Sequence, residues 1–214
     1  MKVKLLILAL FAGVVSAMAQ SVEHSSDVTL FHEYQPAIVY LKSGGVNRQK
    51  EANIFLKNSA FIYKSKDVVM EANMDVVRMV KFGDRTFEKV GSRLAEVIDT
   101  CGTNKLLLVK LINVEGLNHE ILNSSMISNI DLGEIIGVTR LDADADQLTY
   151  PVDLLYYMVL DGKTALCHER ELKSAVGKKR MEIFNSVTRA YGFSWTNPDD
   201  LRNLLRALSN QPAK

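Results

Sequence analysis

Only two cysteines, four prolines and one tryptophan occur in 214 residues, and neither sign of charge predominates. Two cysteines exclude a disulfide-dense scaffold, because at most one intrachain bridge can form. With 26 basic against 25 acidic residues there is no cationic excess to neutralise phosphates, so no nucleic-acid partner is expected. An acidic run of the kind that forms a disordered tail is also missing. Beyond the first twenty residues no apolar stretch reaches membrane-spanning length, and no transmembrane segment is expected in the mature chain. Catalytic signatures are absent as well: no His-Glu-x-x-His, no Gly-x-Ser-x-Gly, no phosphate loop, no dinucleotide fingerprint. The four histidines, His24, His32, His119 and His168, are scattered without i, i+4 spacing. No catalytic residue, metal ligand or cofactor is assigned on these grounds. There is no solenoid-period repeat and no low-complexity tract.

The N-terminus has a clear pattern. MKVK is a positive segment, LLILALFAGVV a short apolar one, and Ala17-Met18-Ala19 a small-x-small cleavage box. This combination defines a secretory signal peptide over residues 1–19, too short and wrongly flanked for a membrane anchor. Cleavage between Ala19 and Gln20 is expected, and no cysteine follows that would take a lipid, so the chain is not read as a lipoprotein. Without Lys2 and Lys4 the 26 basic residues fall to 24, still balanced by 25 acidic ones. The expected location is periplasmic or extracellular.

Residues 20–214 then read as a single domain, and 47% hydrophobic content is enough for one sizeable core. The stretch from Val76 to Val114 is the densest apolar part and reads as strand, turn, strand, turn, strand. Its punctuation is Gly83-Asp84, Gly91-Ser92 and Cys101-Gly102-Thr103-Asn104. Within it LLLVKLINV is apolar on both faces except at Lys110, which predicts a central strand covered on both sides. Upstream, AIVYLK, VNRQKEANIFLK, AFIYK and VVMEA are short strands divided by Gly44-Gly45, Asn58-Ser59 and Ser65-Lys66-Asp67. Residues 21–33 read as an arm or edge strand. Gly116 to Gly133 reads as a long polar excursion, and EIIGVTRL (Glu134 to Leu141) as a returning strand. Asp161-Gly162 marks a two-residue hairpin between DLLYYMVL and KTALCH.

After His168 the apolar period changes from two to about 3.6. Leu172, Val176, Ile183, Phe184, Val187 and Tyr191 fall on one helical face, interrupted at Gly177, which predicts a helix in two pieces ending near Gly192. In the last element Asn197 caps, Pro198 takes the first turn, and Asp199 and Asp200 meet the positive end of the dipole. Leu201, Leu204, Leu205 and Leu208 form its apolar stripe. The predicted fold class is α+β: an antiparallel β-rich body (meander, sandwich or roll) with a C-terminal helical hairpin over about residues 170–209.

Four groups of residues are candidates for chemistry. Asp142, Asp144 and Asp146 alternate, with Asp153 at the twelfth position, in partial match to a calcium loop. Gln147 in place of the turn glycine, Pro151, and the short Asp153 favour a solvated acidic turn instead, and no metal is assigned. Cys101 and Cys167 sit near predicted strand ends and form a candidate disulfide, worth roughly 4 kcal/mol in the chain-entropy model. The alternative is two buried thiols acting as small apolar groups. Cys167 and His168 cannot form a nucleophile–base pair, since neighbours on a strand point to opposite faces. Phe193, Trp195, Tyr156 and Tyr157 could line a groove between helix and sheet, although core packing is the commoner role for such aromatics.

FLKNSAFIYK (Phe55 to Lys64), DVVRMVKFGDRTFEKV (Asp75 to Val90), DLLYYMVLDGK (Asp153 to Lys163) and NPDDLRNLL (Asn197 to Leu205) resemble segments of uncharacterised secreted proteins of Gram-negative, gut-type bacteria. That resemblance implies export and a β-rich body followed by a short helical tail. It implies no activity and no functional residue. Two functional expectations result. The first is a non-enzymatic binding or structural component of the cell envelope, with an envelope protein or carbohydrate as partner. The second is a small exported hydrolase with a convergent site, for which Asp144 and His119 are the first residues to test.

Overall fold

A computed structural model describes residues 23–66, 68–123 and 149–209. The expected short strands form two consecutive meanders. The first comprises β2 (Gln35–Leu41), β3 (Val46–Phe55), β4 (Ala60–Ser65) and β5 (Val68–Glu71). The second comprises β6 (Val77–Phe82), β7 (Arg85–Val90), β8 (Arg93–Cys101), β9 (Asn104–Ile112) and β10 (Tyr150–Leu160). Three turns in the Val76 to Val114 stretch thus give four strands, not three, because Gly83-Asp84 and Gly91-Ser92 each close a tight hairpin. β1 (Glu23–Ser25) and β11 (Lys163–Leu166) share the outer edge of β10. All pairings are antiparallel, and β2 joins the meanders by pairing with β6, giving the order β1-β10-β9-β8-β7-β6-β2-β3-β4-β5.

That order requires curvature. β5 and β6 are joined by residues 72–76 alone. In a flat sheet they would lie four strand spacings apart, about 19 Å. Five residues barely reach that far when fully extended, at about 3.4 Å each. Here they are not extended, since Val76 N–H donates to the Asn73 carbonyl in a turn. The sheet is therefore curled into a half-barrel, and the β3–β4 turn folds across to its far wall. Leu94 N–H donates to the Ser59 carbonyl, Ser59 Oγ donates to the Leu94 carbonyl, and Ile112 N–H donates to the Leu56 carbonyl. Phe31, Phe61, Phe82 and Phe87 fill the inside of the curl with ring centroids 4.9–6.3 Å apart.

β9 is buried on both faces, as its sequence predicts. Leu106 and Leu108 face the helices, while Leu107, Val109 and Leu111 form a second cluster with Ala95 on the opposite face. The polar excursion after β9 opens as α1 (Val114–Asn123), capped by Asn113, whose Oδ1 accepts the Gly116 N–H. The rest of that excursion, the Glu134 to Leu141 strand and the signal peptide with Ala19 and Gln20 lie outside the described residues.

The helical tail has its first member in two pieces, as Gly177 predicts, so it comprises α2 (Glu169–Val176), α3 (Met181–Thr188) and α4 (Pro198–Ser209). Gly177, at φ +75° and ψ 162°, breaks the first pair and resets the helical phase. Tyr191 consequently lies beyond α3 and is fully exposed, a correction to its place on the predicted apolar face. α4 matches its sequence reading. Asn197 Oδ1 accepts the Asp199 N–H at 2.8 Å, and the four stripe leucines are completely buried. They pack with Leu172, Val176 and Phe184 over Leu106, Tyr156, Met158 and Leu160 of the sheet. No helix among the described residues is long and apolar enough to cross a membrane.

Candidate functional site

A polar groove of about 480 Å³ is lined by Lys42, Val77, Arg78, Met79, Glu88, Lys89, Gly91 and Lys105. Its residues come from the turn after β2, from β6, from the end of β7 and from the start of β9, elements brought together by the β2–β6 pairing. Glu88 and Met79 are cross-strand partners facing away from the aromatic core, since their neighbours Phe87 and Val80 face into it. Arg78 sits at a register shift, where β2 passes from pairing Tyr40 with Met79 to pairing Leu41 with Val77. Such a bulge re-aims a side chain, and here the guanidinium lies 6.0 Å from the Tyr40 ring centroid. Lys42 is held at the rim by its own N–H, which donates to the Val76 carbonyl at 2.9 Å.

Four cations and one carboxylate line the groove, and they are not equally committed. Lys105 Nζ lies 2.6 Å from Glu88 Oε1. Lys89 Nζ donates to the Met74 carbonyl at 2.5 Å and lies 3.6 Å from Asp75 Oδ1. Among the described residues neither Lys42 nor Arg78 has a carboxylate partner. The lining includes no Ser, Cys, His or Asp, and its one acidic group is already engaged by a lysine.

Inside the curl the charges are closed on themselves. Arg85 makes a bidentate pair with Glu96, 2.7 Å at both contacts, and covers the Phe31 ring at 4.7 Å. The gap beside Glu96 and Lys110 is about 10 Å³, room for about one water molecule.

The residues singled out from sequence are dispersed. Asp142, Asp144 and Asp146 lie outside the described residues, while Asp153 Oδ1 accepts Asn113 Nδ2 at 2.9 Å and braces the start of α1. No group of three His, Cys, Asp or Glu side chains among the described residues is placed to share a metal. His119 is exposed on α1. Ser26, Asp27 and His32 do meet, but Asp27 bridges the other two: Ser26 Oγ donates to Asp27 Oδ2, and His32 Nδ1 lies 3.2 Å from the same carboxylate. An imidazole that does not face the hydroxyl cannot take its proton.

Cys101 and Cys167 are both free, which corrects the candidate disulfide. Register explains why. Cys101 lies in the row of Asn104 and Leu160, whereas the Cys167 N–H donates to the Tyr156 carbonyl, four residues further along. Three strand spacings, about 14 Å, also separate them, far beyond the roughly 7 Å limit between bridged Cα atoms. Burial pushes the Cys167 thiol up to about 12. Tyr156 is raised too, mainly by burial and then by Glu23, with Arg202 opposing. His168 is exposed and starts α2, so it turns away from buried Cys167. Trp195 packs against Phe193 at 5.0 Å and Phe184 at 6.1 Å, giving these aromatics a core role.

No protein-family model, curated protein or solved structure matches the chain.

Proposed function

We propose that this chain is an exported, non-enzymatic binding component of the cell envelope, and that the outer groove holds its ligand. The first nineteen residues support export by their charge, apolar core and small-x-small box. The observation that carries the binding reading is the groove itself, where Lys42 and Arg78, neither with a carboxylate partner among the described residues, stand beside half-buried Met79. Its volume falls within the few-hundred-Å³ range of small-ligand clefts. A lining without Ser, Cys, His or Asp, whose one carboxylate is paired with a lysine, suits a ligand that is held and released unchanged. Cationic hydrogen-bond donors beside one apolar side chain suit a carbohydrate, and the same surface suits the polar face of an envelope protein.

The test uses the mature protein immobilised and washed with purified envelope polysaccharide, alongside a panel of ester, peptide and glycoside substrates. Retention of polysaccharide that is lost in the K42E/R78E variant, with no turnover on any substrate, is the expected outcome. Turnover of any class, abolished in H119A or D144A, would establish the hydrolase alternative in its place.

A further inference from the structure

We infer that the outer groove recognises a tetrahedral oxyanion, a sulfate or phosphate ester carried on a polysaccharide, and that Lys105 exchanges Glu88 for this group when it binds. The inference rests on the binding reading above and specifies its ligand. Lys89 is engaged by the Met74 carbonyl and Asp75, which leaves Lys42, Arg78 and Lys105 against the single carboxylate of Glu88, a net excess of two positive charges. In a chain whose total charge is only +1, that concentration is local. A concave surface lined by one sign of charge focuses its field and raises the local concentration of counter-ions.

The kind of cation narrows the chemistry. A planar carboxylate is matched best by the fork of an arginine free to bind it in two places. Here two of the three cations left to a ligand are lysines, each a point charge on a flexible stem, and the three enter from the turn after β2, from β6 and from β9. Such an arrangement surrounds a group from several sides, as a tetrahedral anion with three outward oxygens requires. The single arginine is partly occupied by the Tyr40 ring. No aromatic side chain lines the groove itself, which removes the stacking platform a nucleobase would need. Met79 remains to meet the apolar face of a sugar ring.

Glu88 explains how an empty cationic groove is kept from self-repulsion. Its pair with Lys105 at 2.6 Å joins side chains that are 30% and 28% exposed, so solvent screens it in part, and an ester anion held by several cations at once displaces it. Removing the Glu88 charge should consequently tighten binding. This sign distinguishes a competing counter-ion from a residue that contacts the ligand favourably.

The experiment measures calorimetric titration of the mature protein with dextran sulfate, a phosphorylated dextran, polygalacturonate and neutral dextran at low ionic strength. Four proteins are compared: the native sequence, K42E/R78E, E88Q, and K173E/K179E. The last makes the same charge change on the exposed tail, and thermal unfolding confirms that each variant folds. The inference predicts binding of the two esters, at least about tenfold loss in K42E/R78E, less than about twofold loss in K173E/K179E, and a gain of severalfold in E88Q. The stronger ester identifies which tetrahedral group the groove prefers. Equal losses in both double variants would mean that net charge alone attracts polyanions, and would overturn it. Tighter binding of polygalacturonate than of either ester would overturn the tetrahedral preference. Binding of neutral dextran, lost in K42E/R78E, would retain the groove as a carbohydrate site while refuting the anionic ligand. Absence of binding by every polymer would refute the ligand class inferred here, and the retention test with native envelope polysaccharide then decides the broader reading separately.

Discussion

Arg180 and Asp161 form an ion pair of opposite environments: Nη2 lies 2.6 Å from Oδ2, yet the arginine side chain is 9% exposed and the aspartate 51%. Arg180 belongs to the 3-10 turn between α2 and α3, and Asp161 to the β10–β11 hairpin, where it adopts φ +51° before Gly162 at φ +80°. Asn104 accepts the Asp161 N–H and donates to Ser209 Oγ at the end of α4. One polar network therefore joins the hairpin, the helical tail and the sheet. Arg180 Nη1 is buried and has no partner among the described residues, so the guanidinium depends on Asp161 for compensation.

The two halves of this pair should respond unequally to mutation. Asp161→Asn leaves a buried charge uncompensated and is expected to cost about 1–3 kcal/mol, moderated by the exposure of the aspartate. Arg180→Met replaces the buried charge with an apolar chain of similar length and is expected to cost under about 1 kcal/mol. Urea unfolding of both variants and of the double variant measures the asymmetry; equal costs would argue against it.

Thiol titration checks the register of the sheet. Unreduced protein in denaturant should yield two reactive thiols, because neither cysteine is bridged. In the native state partly exposed Cys101 should react first, while Cys167, buried and pushed up to about 12, should react only on unfolding. A single kinetic phase for both would contradict this placement.

Cys167 also predicts alkaline destabilisation. Its folded value of about 12 lies above the ordinary 9.0, so the protein retains a proton that the unfolded chain releases. Stability from this group is intact below pH 9 and falls as pH rises from 9 toward 12, by at most about 1.4 kcal/mol per pH unit. Tyr156, also raised, adds to the decline above pH 10. Midpoints of urea unfolding across pH 8 to 11 should show the slope, and Cys167→Ala should reduce it.

The helical tail should behave as part of the core. Leu204→Ala removes a completely buried side chain between α4 and the sheet, with an expected cost of about 2–5 kcal/mol. Asn197→Ala removes only the cap, at about 1 kcal/mol. Comparing the two by thermal unfolding tests whether α4 packs as described, since a detached tail would make both changes nearly neutral.

Features governed by neighbours in sequence were legible before the structure. Asp161-Gly162 encodes its turn through two left-handed conformations, and Asn197-Pro198-Asp199-Asp200 encodes a helix start through side-chain acceptors and fixed φ. β9 announces its double burial by composition. Features set by strand order were not legible. The β2–β6 pairing joins two meanders whose local patterns are equally satisfied by other partners. The groove depends on that pairing, because Lys42, Arg78, Glu88 and Lys105 are ordinary surface residues until four elements assemble. Their one sequence signal is placement of cations beside strand ends, too common to be diagnostic. Cys101 and Cys167 failed as a pair for the same reason: both sit at strand ends, but only register shows that the ends differ. Tyr191 was misplaced because the helical period was carried across Gly177.

The most direct test of a ligand-binding outer groove is a map of backbone amide shifts as a short sulfated oligosaccharide is added to isotope-labelled mature protein. Perturbation should be confined to Lys42, Val77, Arg78, Met79, Glu88, Lys89, Gly91, Lys105 and their immediate neighbours. Saturable shifts centred instead on the helical tail or on the aromatic interior, with these amides unmoved, would contradict it.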